Sequence, residues 1–86
     1  MHNVILRTIT VTNTWQSLSD KPLVGSVTIS APPSNAATVL LRSTDDPVNE
    51  VFFVNGEWHD FQRIDLSTLQ VKGTSGDKLT VIGGTW

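Results

Sequence analysis

The sequence predicts a small all-β protein, an antiparallel β-sandwich or compact barrel of about seven or eight short strands. Apolar and polar residues alternate in several short segments, and clusters of turn-forming residues separate these segments at a spacing of roughly ten residues. No segment has a helical period long enough for the crossover helix that a parallel sheet needs. With 86 residues, the chain is expected to form one domain over positions 1–86.

The N-terminal third is predicted to contain two strands with a short extended piece between them. Residues 3–12 alternate with a period of two, so the segment 1–12 is expected to be an edge strand or an arm. An extended piece at residues 15–18 ends in a cluster of turn formers. Residues 24–30 then alternate as a half-buried strand.

Loops bracket the next predicted strand. Residues 31–35 contain Pro32 and Pro33, which lack the N–H groups that a central strand uses, so this segment is predicted to be a connection. Residues 38–42 are predicted to be a strand, and their run of three aliphatic side chains indicates burial on both faces. A polar loop at residues 43–47 follows.

The pair Asn55-Gly56 predicts a tight hairpin, because both residues tolerate the positive φ that a two-residue hairpin turn requires. The strands 50–54 and 57–61 would then pair, and Phe53 would lie opposite Trp58. A loop of three to five residues would shift this register and place the tryptophan elsewhere.

The C-terminal part is predicted to add a helical turn and two strands. Asp65 is placed to cap one helical turn over residues 65–69. Strands are predicted at residues 70–72 and 78–82, with a glycine-containing turn between them. Residues 83–86, which include two successive glycines, are predicted to form a flexible tail.

The composition favours stabilisation by association with other protein. The chain has no cysteine, so disulfides and Cys-based zinc sites are excluded. A chain of this length buries only roughly 60–65% of its unfolded surface. Charged residues make up 16% of the sequence, below the quarter or so that is usual for globular domains. We therefore expect contact with further copies of the chain or with a larger partner.

Charge and hydropathy disfavour two other classes of partner. The formal net charge is −2, and the six basic residues are spread along the chain with no two adjacent, so no nucleic acid is expected to bind. No stretch approaches the roughly 20 apolar residues of a membrane span. Because no secretory signal is recognisable, Met1 is expected to be the true start of a protein made in a cytoplasm.

Few residues are arranged for chemistry. His59 and Asp60 adjoin, but neighbouring strand residues face opposite ways, so a surface histidine is the favoured interpretation. Asp45, Asp46 and Glu50 carry the oxygen ligands that calcium prefers, but no calcium-loop signature is present, and a plain turn is favoured. The sequence therefore predicts a protein that is not an enzyme, with no metal and no cofactor.

The three tryptophans are the candidate functional residues. A thin domain cannot bury Trp15, Trp58 and Trp86 together, and aromatic residues are enriched in interfaces. All three are predicted to be interface residues, with core or sheet-face packing as the alternative for Trp58 and simple disorder as the alternative for Trp86. A sugar-stacking platform built on Trp15 or Trp58 is a further hypothesis.

A family resemblance is carried by the end of the chain. Residues 63–85 read Arg-Ile-Asp-Leu-Ser-Thr-Leu-Gln-Val-Lys-Gly-Thr-Ser-Gly-Asp-Lys-Leu-Thr-Val-Ile-Gly-Gly-Thr, and the turn Asn55-Gly56-Glu57 precedes them. An earlier strand pair lies between Val27 and Arg42. In these features the chain resembles many short virion-associated proteins of tailed bacteriophages, over roughly residues 25–85 and most closely over the last part.

The resemblance implies a small β-sandwich that decorates or cements the outer surface of a phage capsid. Its partner would be the major capsid protein or another virion protein, and it would form a homotrimer on the virion after synthesis in the host cytoplasm. The aromatic segment around Trp58 and the terminal Trp86 depart from the common pattern. A neck, tail or fibre-tip module that binds a protein partner or a host glycan is therefore the alternative.

Overall fold

The computed structural model describes residues 3–85, which form eight strands in two four-stranded antiparallel sheets. The predicted all-β class is confirmed, and the two packed sheets make the fold a β-sandwich. A single 3-10 turn, Leu66–Thr68, precedes the seventh strand. The strands are β1 Val4–Thr10, β2 Gln16–Ser17, β3 Val24–Ser30, β4 Val39–Ser43, β5 Asp46–Phe53, β6 Trp58–Asp65, β7 Leu69–Lys72 and β8 Lys78–Thr85.

The order of the strands shows that the chain alternates between the sheets. The first sheet has the order β1-β8-β3-β6, and the second has the order β2-β7-β4-β5. Within residues 3–85, β4 and β5 are the only consecutive strands that pair with each other, through a two-residue turn at Thr44 and Asp45. Every other connection in this part of the chain passes from one sheet to the other. The order leaves β1, β2, β5 and β6 as edge strands.

The core lies between the sheets and follows the alternation that the sequence predicts. In β3, Val27 and Ile29 are buried while Ser26 and Thr28 are half-buried on the other face. The aliphatic run in β4 is not fully buried on both faces as the sequence predicts, because Leu40 points outward and is only half-buried. Both sheets and their connections contribute to one cluster of buried side chains: Ile5, Val11, Leu18, Val27, Ile29, Ala31, Val39, Leu41, Phe53, Leu66, Val71, Leu79 and Val81.

The predicted hairpin at Asn55-Gly56 is wrong. β5 pairs with β4 in the second sheet, where Phe53 lies opposite Val39. β6 pairs with β3 in the first sheet, where Trp58 lies opposite Ser30. The chain therefore crosses from one sheet to the other at this turn, and Phe53 and Trp58 do not face each other.

The backbone of the turn explains the crossing. Gly56 has a φ of 85°, whereas Arg63 is the one non-glycine residue with positive φ in residues 3–85, so Asn55 has a negative φ. Positive φ at the third turn position alone is the pattern of a type II turn, whose twist splays strands instead of pairing them. The turn binds Ala31 instead. The Gly56 N–H donates to the Ala31 carbonyl at 2.8 Å, and the Ala31 N–H donates to the Glu57 carbonyl at 2.9 Å.

The predicted flexible tail at residues 83–86 is also wrong for the residues that the structure describes. β8 continues through Thr85, and its Gly83 and Gly84 pair with both β1 and β3. A Cβ on Gly83 would lie 2.1 Å from the carbonyl oxygen of Ser26, so the glycine permits a close approach of two backbones. Trp86 lies outside the described residues.

The N-terminal segment supplies an edge of the first sheet. β1 pairs with β8 along its whole length, from Val4 opposite Gly84 to Thr10 opposite Lys78. Of the two structures predicted for this segment, an edge strand or an arm, Val4–Thr10 forms the edge strand. Residues 1 and 2 of the predicted segment lie outside the described part of the chain.

Two buried polar side chains tie the proline-containing connection to β8. The Asn35 amide donates to the Lys78 carbonyl, and Lys78 N–H donates to the amide oxygen of Asn35, both at 2.8 Å. The Asp77 carboxylate accepts from the N–H groups of Ala36 and Ala37 at 2.9 and 3.1 Å. These bonds satisfy buried polar groups and hold a non-strand segment against the sandwich.

Asp65 caps the 3-10 turn, as the sequence predicts, and also binds a second segment. Its Oδ1 accepts from the N–H and hydroxyl of Ser67 at 3.0 and 2.8 Å, and from the N–H of Leu23 at 3.0 Å. These donors, with the Leu23 N–H first in importance, lower the pKa of the Asp65 carboxyl below its usual 3.8.

We expect Gly83→Ala to destabilise the fold by about 3 kcal/mol or more, because the new methyl group would meet backbone atoms of β3. Gly76→Ala is the matched control. Gly76 has a φ of 97° and open space around its Cβ position. An alanine there should lower the free energy of unfolding by about 1–2 kcal/mol through backbone strain alone, without a clash. Urea unfolding of both variants measures the difference, and equal losses would contradict a close approach at Gly83.

The hydrogen bonds that Asp65 accepts make the stability of the fold depend on pH. A carboxyl with a lowered folded-state pKa stabilises the fold above its unfolded pKa, and this contribution is lost as pH falls through the folded pKa. Asp65→Asn should therefore be less stable than the parent protein at about pH 6, and the difference should shrink as pH falls below 3.8.

Urea unfolding midpoints between about pH 6 and pH 2.5 test this expectation. Asp20→Asn controls for the loss of one negative charge, because the exposed Asp20 carboxylate has no hydrogen bond within residues 3–85. A stability difference for Asp65→Asn that stays constant over this pH range would show that the Asp65 bonds do not favour the ionised form.

Candidate functional site

The histidine and aspartate that adjoin in β6 do not bind each other. His59 Nε2 lies 2.6 Å from Glu57 Oε2, and its ring makes a T-shaped contact with the Phe53 ring, with 5.1 Å between ring centroids. Asp60 points to the other face, where its carboxylate accepts from the hydroxyl of Thr28. The bond from His59 lowers the pKa of Glu57, with a smaller effect from the Val54 N–H. This arrangement fixes the end of the turn and leaves His59 half exposed at the surface.

The acidic residues of the β4–β5 hairpin are spread along an exposed strand. Asp46 accepts a bond of 2.6 Å from the Asn49 amide, and Asp45 lies in the two-residue turn. Across residues 3–85, no three His, Asp or Glu side chains gather closely enough to hold a metal ion. The carboxylates Asp45, Asp46 and Glu50 instead give this hairpin a negative, solvated surface.

The outer face of the first sheet carries most of the exposed apolar side chains of the sandwich. The strand register places Leu6 beside Ile82, then Thr28 and Asp60, in one row across all four strands. A second row contains Thr8, Thr80, Ser30 and Trp58. Of the nine large apolar residues that are exposed within residues 3–85, five lie on this face: Val4, Leu6, Val24, Trp58 and Ile82.

Hydroxyl groups fill the spaces between these apolar side chains. Ser30 and Thr80 share a hydrogen bond between their hydroxyl groups, and the Lys78 ammonium lies 2.8 Å from the Thr10 hydroxyl. The Asp60 carboxylate is also bonded to a hydroxyl, so both of these charged groups are held by neighbours within the sheet. The result is a nearly neutral face made of aliphatic, aromatic and hydroxyl groups.

Trp15 lies on the opposite side of the molecule, against the outer face of the second sheet. The Arg42 guanidinium carbon lies 4.1 Å from the centroid of its ring, and the Lys72 ammonium lies 5.0 Å away. Arg42 Nε also donates to the Gln70 side-chain oxygen at 2.8 Å. We call these three residues, Trp15, Arg42 and Lys72, the cation–indole cluster.

An open groove of about 510 Å³ separates the edge strands β5 and β6. It exists because the crossing at Gly56 leaves each of these strands without a neighbour on that side. His59, Asp46 and Asn49 line it with polar groups. Its apolar wall is formed by Leu41, Val51, Phe53, Phe61 and Leu69.

The structure places two of the three predicted interface tryptophans on opposite sheets. Trp58 is 60% exposed on the outer face of the first sheet, and Trp15 is half-buried in the cation–indole cluster on the second. Trp86 lies outside the described residues. No single site unites Trp15 with Trp58, and the role of the three tryptophans in binding stays a prediction.

Sequence reasoning did not find the cation–indole cluster or the groove. Arg42 and Lys72 are 30 positions apart and 27 or more from Trp15, so their proximity depends on the pairing of β4 with β7. One signal was present: outward positions in β4 and β7 alternate with buried ones and carry both basic residues. The groove could not be predicted without knowing that the chain crosses from one sheet to the other at Gly56.

Within residues 3–85 the structure contains no helix that is long and apolar enough to cross a membrane. Comparison with known proteins finds no matching family model, no similar curated protein and no similar solved structure.

Proposed function

We propose that this chain is a non-enzymatic structural protein of a tailed-bacteriophage particle, and that it docks through the outer face of its first sheet. In this proposal it is a homotrimeric decoration or cement protein on the capsid surface, bound to the major capsid protein. The support from sequence is the resemblance of residues 63–85 to the endings of short virion proteins.

The observation that carries the proposal is the chemistry of the outer face of the first sheet. Contiguous exposed apolar groups such as Leu6, Ile82 and Val4 favour contact with another protein. The charges nearby, on Asp60 and Lys78, are already hydrogen-bonded to hydroxyl groups of the sheet. Covering this face removes apolar surface from water, and the hydrogen bonds from hydroxyl groups offset part of the cost of removing these two charges from water.

The size of the face favours docking by several copies at once. Strands about 4.8 Å apart and up to eight residues long give this face an area on the order of 500 Å². Stable interfaces bury roughly 800 Å² on each partner, so one copy is expected to bind weakly. A trimer presents three such faces to a repeating lattice, and linked contacts raise the effective affinity. Binding to the assembled lattice alone would stabilise the shell by mass action.

Imaging of purified particles of the phage that encodes the chain tests its location. We expect ordered density for an 86-residue β-sandwich in groups of three on the outside of the shell. Density confined to the neck, tail or fibre would overturn the decoration role in favour of the alternative module. Absence of the chain from the particles would overturn both assignments.

A pair of variants tests the docking face. Ile82→Asp should weaken binding to particles that lack the chain by at least about tenfold, because it places a charge at the centre of the face. Val48→Asp is the matched control, since Val48 is exposed on β5, away from this face, and the charge change is the same. Co-sedimentation measures binding, and thermal unfolding confirms that both variants fold. Equal loss of binding in the two variants would contradict docking through the first sheet.

A further inference from the structure

The cation–indole cluster holds two positive charges beside one aromatic ring. Arg42 on β4 and Lys72 on β7 project from the same face of the second sheet, since Leu40 pairs with Lys72 and Arg42 pairs with Gln70. Both lie within cation–π distance of the ring of Trp15. The indole therefore fixes the position of two cations that repel each other.

Most of the hydrogen-bond donors of these cations have no acceptor in the described part of the chain. Arg42 Nε donates to Gln70, but its two terminal nitrogens and the Lys72 ammonium have no acceptor within residues 3–85. In the same residues the one ion pair within 4.0 Å joins His59 to Glu57, so no carboxylate within residues 3–85 forms an ion pair with the cluster. An oxyanion from outside would both accept these donors and relieve the repulsion.

The geometry favours a single carboxylate over two other ligand classes. The Arg42 guanidinium lies over the Trp15 ring at 4.1 Å. It therefore covers one face of the indole, and a neutral sugar would need such a face for stacking. The cluster contains only two basic residues, and the acidic Asp45 and Asp46 follow Arg42 closely in sequence. A polyanion such as nucleic acid would therefore be repelled. The planar guanidinium fits one carboxylate through paired hydrogen bonds.

Apolar side chains extend the site across the sheet. Lys72, Leu40 and Phe52 lie side by side on β7, β4 and β5, in one row on the outer face. Phe52 is 63% exposed and Leu40 is half-buried. A ligand that places a carboxylate at the cluster would therefore lay its neighbouring groups on aliphatic and aromatic surface.

We propose that the cation–indole cluster, together with Leu40 and Phe52, binds a partner's peptide segment in which a carboxylate side chain lies next to an apolar one. The carboxylate bonds to Arg42 and Lys72, and the apolar side chain packs on the row beside them. This site is on the opposite sheet from the face proposed to dock on the capsid. The inference goes beyond the proposed function and does not depend on it.

The test uses the full chain and a synthetic peptide, acetyl-Gly-Asp-Leu-Glu-Phe-Gly-amide, at constant ionic strength. The readouts are the NMR signals of the Trp15 indole N–H and of the backbone of β4 and β7. We expect a saturable shift limited to the second sheet, with peptide binding at least about tenfold tighter than sodium acetate because of the apolar contacts. The same peptide with both carboxylates replaced by amides should lose most of its binding.

Matched variants assign the site. Lys72→Gln should weaken peptide binding by roughly threefold, and Lys72→Gln combined with Arg42→Gln by roughly tenfold, because each removes a charge from a partly exposed contact. Lys78→Gln, which removes an exposed charge from the first sheet, should leave binding unchanged. Unchanged thermal unfolding confirms that the variants fold.

Three results would overturn the inference. One is the absence of a saturable shift with peptide up to about 10 mM. Another is equal binding of the amide peptide, which would show that the carboxylates are not recognised. The third is tighter binding of inorganic phosphate or heparin than of the peptide, which would assign the cluster to a phosphate- or sulfate-bearing ligand.

Discussion

The crossing of the chain between the two sheets at Gly56 is the constraint on which the rest of the surface depends. Because β5 and β6 enter different sheets, each becomes an edge strand, and the groove opens between them. The same crossing sends Phe53 into the core at 2% exposure and Trp58 to the outer face of the first sheet. A hairpin would have paired these two aromatic residues and closed the sandwich on that side.

Side chains that bind backbone groups hold this crossing in place of a strand ladder. The Glu57 carboxylate accepts from Val54 N–H at 2.9 Å, and the Asn55 amide donates to the Asn35 carbonyl at 2.6 Å. Asn35 in turn exchanges two bonds with Lys78 at the start of β8. The turn, the proline-containing connection and β8 thus form one hydrogen-bonded chain, which gives the irregular backbone the partners that it needs when buried.

Local patterns predicted the features that depend on neighbours in sequence. The alternation of Val27 and Ile29 and the cap at Asp65 each need only a few adjacent residues, and both appear as expected. The hairpin failed because an Asn-Gly pair is compatible with more than one turn type, and pairing with β3 and β4 decided between them. Two successive glycines in sequence predict a flexible tail, yet at Gly83 the close contact with Ser26 across the sheet is what requires a glycine. Such contacts exist only after the fold has formed.

The two outer faces of the sandwich differ in chemistry, and each of the two proposed binding sites lies on one of them. The first sheet presents aliphatic and hydroxyl groups with little free charge, which suits a broad contact that excludes water. The second presents Arg42 and Lys72 with open donors beside Phe52, which suits a short segment recognised at one charged group. Because a two-layer sandwich turns these faces in opposite directions, docking through the first sheet leaves the cation–indole cluster accessible. A protein seated on a larger assembly in this way would keep a second binding site directed away from it.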